Sequence, residues 1–174
     1  MTQGDSYPTR DTWTLYAHML SQSDTYTRSY ITMYRVQSFE DFGRLWQHCH
    51  PEYVGSPTYN VCVQKKPVAS WSFFRNDAAP EWEHPANHRG STATRRGQFA
   101  EKEAYALWEA LVTACVLDTV PGTVVGIQVL RKGLRSAKLT MRFDVWMGAD
   151  ACTDDVLAWL EQHTKHKFSL VLRR

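Results

Sequence analysis

The chain has 174 residues and a formal net charge of +2, with 43% of its residues hydrophobic and 22% charged. That length suits one domain with its own core, and the composition excludes a disordered tail or a membrane protein. The near-neutral charge does not point to a non-specific DNA binder, while a start as polar as Met1–Ser6 carries no signal-peptide core, so a soluble, cytoplasmic protein is expected.

Residues 1–12 are polar, hold Pro8, and read as a flexible tail, leaving 13–174 as a single domain. From Trp13 the alternation Trp-Thr-Leu-Tyr-Ala-His-Met predicts a strand, and Tyr30–Val36 predicts the next, across a loop at Ser21–Asp24. Ser38 is placed to cap a helix on which Phe39, Phe42, Trp46 and Cys49 recur at helical spacing until Pro51. Residues 51–68 hold Pro51, Gly55, Pro57 and Pro67 and read mostly as loop, followed by a strand at Val68–Arg75. Ala78–Gly97 has hardly an apolar residue besides Trp82 and reads as one long exposed loop, a kind of segment that often carries function.

Glu101–Leu117 is the clearest predicted helix, with Ala104, Trp108, Leu111 and Cys115 in one stripe. Val124–Arg131 and Lys138–Trp146 predict two strands of a basic hairpin. In the second, Leu139, Met141, Phe143 and Val145 face one way and Lys138, Thr140, Arg142 and Asp144 the other. Asp154-Asp155 open a last helix whose inner side is Val156, Trp159, Leu160 and His163, and Phe168–Leu172 ends the domain as a strand. Strands interrupted by helices without regular βαβ alternation indicate an α+β fold with an antiparallel sheet.

The chemistry-bearing residues offer no catalytic anchor. There is no GxSxG, HExxH, GxGxxG or Walker A motif, so no catalytic residue is assigned and the protein is not expected to be an enzyme. His48-Cys49-His50 are adjacent, so on a helix they point to different sides. Pro85 separates His84 from His88, and neither metal nor cofactor is expected. Cys49, Cys62, Cys115 and Cys152 form no CxxC pair and are expected to be reduced, partly buried thiols. Five basic residues and no acidic one lie between Asp118 and Asp144, which suits a compact anionic ligand. Trp82 stands beside Glu83 in a loop without apolar partners. An indole next to a carboxylate suits a planar ligand that stacks and donates hydrogen bonds, as the N1–H and N2–H₂ edge of guanine does.

The stretch Pro80-Glu-Trp-Glu-His-Pro-Ala-Asn-His-Arg-Gly90 resembles the cap-binding loop of the translation initiation factor 4E family, whose pattern is P-x-W-E, then N, then G. Trp13-Thr-Leu-Tyr16 is similar to that family's opening strand, Phe39–His48 to its first helix and Leu107-Trp108-Glu109 to its second long helix. The resemblance implies a curved antiparallel sheet with three helices on the convex face and the ligand, the 7-methylguanosine 5′ cap of mRNA, in the concave face. It implies that Tyr26 and Trp82 sandwich the base and that Glu83 reads its edge. Arg131 and Lys138, with Lys132 and Arg135 as neighbours in an open register, would hold the phosphates. Phe39, Gly43, Trp108 and Glu109 fall on the implied partner surface, where the family binds a Tyr-x₄-Leu-apolar helix of a scaffold factor of the 4G type or of a regulatory protein.

The chain also departs from the family. Gly43 replaces the anchoring Trp of that surface, Arg142 stands near where a Trp touches the methyl group, and an insertion spans Tyr53–Pro67. Two other readings stand beside cap recognition: an interaction domain of the same fold with little cap affinity, and a general single-strand RNA binder, which the modest charge disfavours.

Overall fold

A computed structural model describes residues 6–19, 30–48, 62–63, 66–132 and 139–172. Strands β1 (Pro8–Met19) and β2 (Tyr30–Ser38) lead into helix α1 (Phe39–His48). Then come β3 (Cys62–Val63), β4 (Lys66–Arg75), β5 (Ser91–Phe99), α2 (Glu101–Val116), β6 (Val124–Lys132), β7 (Leu139–Met147), α3 (Thr153–Thr164) and β8 (Ser169–Leu172). The sheet runs in the order β2-β1-β4-β6-β7-β5-β8, with β3 beside β4, and every pairing is antiparallel. The expected α+β class holds: the three helices described pack on one face of this sheet.

Side-chain alternation builds the core. Leu15, Phe73, Ile127, Val145 and Ala93 are successive partners across five strands, and all lie in the cluster that holds Leu107, Trp108, Leu111, Val112, Val156 and Leu160 from α2 and α3. Paired residues share a face. The opposite face therefore carries the row Tyr16, Ser72, Gln128, Asp144 and Thr94, with Thr14, Phe74, Gly126, Trp146 and Thr92 on one side of it. A third row, on its other side, is His18, Ser70, Leu130, Arg142 and Arg96.

The element boundaries mostly follow the sequence. Ser38 does cap α1, its hydroxyl accepting from the Asp41 amide at 3.1 Å. Three expectations are corrected. Residues 8–12 are strand rather than tail, because Asn76 accepts from the Thr12 amide and its own amide donates back to the Thr12 carbonyl. The expected loop 78–97 ends at Gly90, since Ser91–Phe99 is a full strand between β7 and β8. Its polar look comes from position: only Ala93 and Phe99 of β5 enter the main core. In α3 Val156 and Leu160 are buried and Trp159 packs against the core as expected, while His163 is exposed and stacks on Trp159 at 4.5 Å.

Candidate functional site

Residues 76–90 leave the end of β4 and return along β7. Asn76, at φ 53°, turns the chain out of β4. Asn87, only 2% exposed, then ties the loop together, its amide donating to the Ala79 carbonyl at 2.7 Å and the Glu81 carbonyl at 2.6 Å. Gly90 closes it. A Cβ there would run into the Met147 carbonyl of β7, so only glycine lets the loop come this close to the strand.

The loop sets Trp82 on the helix-free face. Its ring lies flat on Trp146 of β7, centroids 3.4 Å apart and planes 17° apart. Trp146 in turn meets the edge of Phe74 at 5.2 Å. These two aromatics flank Gly126 in the sheet, and a Cβ on Gly126 would enter the Phe74 ring. Tyr16 and Tyr30 extend the patch, in edge contact at 5.4 Å. The Tyr16 hydroxyl donates to the Ala78 carbonyl and the Tyr30 hydroxyl to the Glu81 carboxylate. His18 lies against Tyr30 at 5.3 Å, and its burial pushes its pKa down to about 4, so it is neutral at physiological pH.

Of the expected ligand residues, Trp82 and Glu83 stand together at the crest of this loop, with Glu83 exposed. Trp82 does not lack apolar partners as expected, because Trp146 covers one of its faces. Tyr26, Lys138 and Arg135 lie outside the described residues, as does the Lys132 side chain. Arg131 is corrected. It pairs with Met141 of the main core and feels Glu101 at the start of α2, which puts it on the helix-covered side. Burial there pulls its guanidinium below the ordinary value, against the opposing effect of Glu101.

On the expected partner surface, Phe39 is 41% exposed and Gly43 has open space about it. Trp108 is corrected: at 3% exposed it is core beneath α2, not surface. Glu109 accepts from the Tyr105 hydroxyl at 3.4 Å. Sequence reasoning missed Trp146, Tyr30 and Glu81 as parts of the site. For Trp146 a signal was present: continuing the alternation of β7 places a tryptophan on the polar face with Arg142 and Asp144.

The sequence pattern of the family described as Eukaryotic initiation factor 4E matches residues 8–170. The chain belongs to that family. No curated protein matches this initiation factor 4E family member by sequence. Among solved structures it is similar to C. elegans eIF4E-3 in complex with the 4E-binding protein Mextli and a cap analog. The TM-score is 0.76 at 16% identity, covering 97% of this chain and 93% of that one. Schistosome eIF4E complexed with m7GpppG and 4E-BP gives 0.73 at 17% identity, over 96% of this chain and 88% of the other. Ascaris suum eIF4E-3 with an m2,2,7G cap gives 0.73 at 16% identity, over 98% and 93%. At these identities the likeness shows the fold: the helices back the convex face of a curved sheet, and Trp82 and Trp146 lie on its concave face.

Among the described residues there is no group of three or more His, Cys, Asp or Glu able to hold a metal ion. Cys115 is a buried free thiol whose pKa burial pushes up, which makes it unreactive, whereas Cys152 is exposed. No helix described is long and apolar enough to cross a membrane.

Proposed function

We propose that this protein binds the 7-methylguanosine 5′ cap of mRNA and acts in translation initiation or its regulation, as a cytoplasmic, non-catalytic factor. The observation that carries the reading is the pairing of Trp82 with an exposed Glu83 on a loop locked by Asn87 and Gly90. A cationic methylated base gains stacking and cation–π attraction on the indole. The carboxylate, which only accepts, takes the two N–H donors of the guanine edge. Tyr26 would supply the second ring, and Lys138, Lys132 and Arg135 the phosphate contacts, with Arg131 left out of that set. Solved relatives of the same fold hold cap analogs and 4E-binding proteins, which supports capped mRNA and a 4G-type scaffold or regulatory binding protein as partners here.

Titration with 7-methyl-GTP and with GTP, followed by intrinsic tryptophan fluorescence, is the test. The methylated nucleotide is expected to quench at concentrations where GTP does not. Trp82→Ala should weaken it by about 1–3 kcal/mol, the worth of one base–aromatic stack. Glu83→Ala should cost at least as much, by leaving the edge donors unpaired. Unchanged affinity in the Trp82 variant would sink the assignment.

A second reading, an interaction domain with little cap affinity, is favoured by one observation: Trp146 already occupies a face of Trp82. Absence of quenching by either nucleotide in a folded protein would select it.

A further inference from the structure

Beside Trp146, on the same face, lies a cavity of about 240 Å³ lined by Thr92, Thr94, Arg96, Arg142, Asp144 and Val171. We infer that this cavity is a second anion subsite that takes a phosphodiester of the RNA chain following the cap, an inference that rests on the cap-binding reading.

Its polar groups are built rather than scattered. The Arg142 guanidinium is clamped to Asp144, with Nε and Nη2 each 2.9 Å from Oδ2, and the other carboxylate oxygen accepts from the Thr94 hydroxyl at 2.8 Å. Asp144 is 2% exposed, so the clamp is held inside the protein and Arg142 is pre-aimed. Arg96 stands directly opposite Arg142 in the β5–β7 ladder and has no carboxylate partner among the described residues. Like charges facing each other across strands are unfavourable, and one carboxylate offsets only one of the two guanidiniums. Thr92 adds an independent observation: 1% exposed, it lines the cavity with its hydroxyl unpartnered. Buried polar groups of that kind ordinarily have a partner. A phosphate between the two arginines supplies acceptor oxygens to both and removes the repulsion, and an adjoining oxygen of the same sugar-phosphate backbone meets Thr92.

Position selects RNA over a free anion. Thr92 is the cross-strand partner of Trp146, the residue on which Trp82 lies, and Arg142 is further along the same strand by roughly 13 Å at the usual strand rise. The cavity therefore lies within reach of the nucleotide chain that follows a base stacked at Trp82.

The test compares the full chain with Arg96→Gln and Thr92→Val, substitutions that leave the Asp144–Arg142 clamp in place. The ligands are 7-methyl-GMP, a capped tetranucleotide and the same tetranucleotide with an uncapped 5′ triphosphate. Wild type is expected to bind the capped tetranucleotide more tightly than 7-methyl-GMP. Arg96→Gln should lose about tenfold on the tetranucleotide, with a salt slope reduced by about 1, and nothing on 7-methyl-GMP; Thr92→Val should follow in the same direction. Equal losses on every ligand, or none on the tetranucleotide, would overturn the subsite. So would competition by inorganic phosphate or a polyglutamate peptide as strong as that by RNA. If wild type binds neither 7-methyl ligand, the cap reading fails by itself. The uncapped tetranucleotide then decides: a loss in Arg96→Gln upholds an RNA phosphate site, and no loss overturns it.

Discussion

At Gly126 a single missing Cβ lets two large rings meet. Phe74 and Trp146 sit on the strands to either side, and each bends over the glycine to touch the other. Trp82 rests on the result, so the aromatic platform depends on a residue that contributes no side chain of its own. Gly126→Ala is expected to destabilise by about 1–3 kcal/mol, the usual cost of overpacking a filled site. It should also weaken the near-ultraviolet circular dichroism of the Trp82–Trp146 stack; thermal melts and that signal check it. His18 gives a second prediction. Its folded pKa of about 4 lies below the ordinary 6.5 because burial disfavours the cation. The unfolded chain therefore binds more protons between these values. The contribution of His18 is full above pH 6.5 and lost as pH falls toward 4, with an upper bound of about 3 kcal/mol. Melting wild type and His18→Gln from pH 8 to pH 4 should show curves that converge on acidification; parallel curves would contradict the burial.

Among the elements, the 76–90 loop and α1 differ in how they are held. The loop is tied across its middle by one buried side-chain amide, that of Asn87, which satisfies two carbonyls. Asn87→Ala should lower stability by about 1–3 kcal/mol and raise amide exchange across 78–90, and ligand binding should fall with it because Trp82 and Glu83 ride on that segment. The helix has room to improve. Nothing lies within 4 Å of a Cβ at Gly43, so Gly43→Ala is expected to gain up to about 1 kcal/mol, a rise of roughly 2–4 °C in Tm. The same open space admits a larger side chain. We expect a generic Tyr-x₄-Leu-apolar peptide to bind wild type weakly by calorimetry and Gly43→Trp more strongly, by the 2 kcal/mol or more that aromatic anchors commonly carry. Sub-micromolar binding to wild type would show that the missing indole does not matter.

For the whole molecule, a charge of +2 gives little non-specific attraction to nucleic acid, so salt sensitivity has to come from local basic groups. Affinity for cap analogs is expected to rise from mono- to di- to triphosphate and to fall with salt; a flat series would mean that the basic stretch faces elsewhere. What was legible without coordinates were features with a short period. They include the two-residue alternation of β7, the helical stripe of α2, the Ser38 cap and the loop motif around Trp82 and Glu83. Each is set by neighbours close in the chain, through backbone geometry and capping. Only the tertiary structure decided that Trp82 lies on Trp146, that Arg131 belongs to the helix side, that Trp108 is core, and that Arg96 confronts Arg142. These depend on the register between strands far apart in sequence, where a slip of one residue sends every side chain to the other face. No local pattern specifies that register; the joint packing of the strands and helices does.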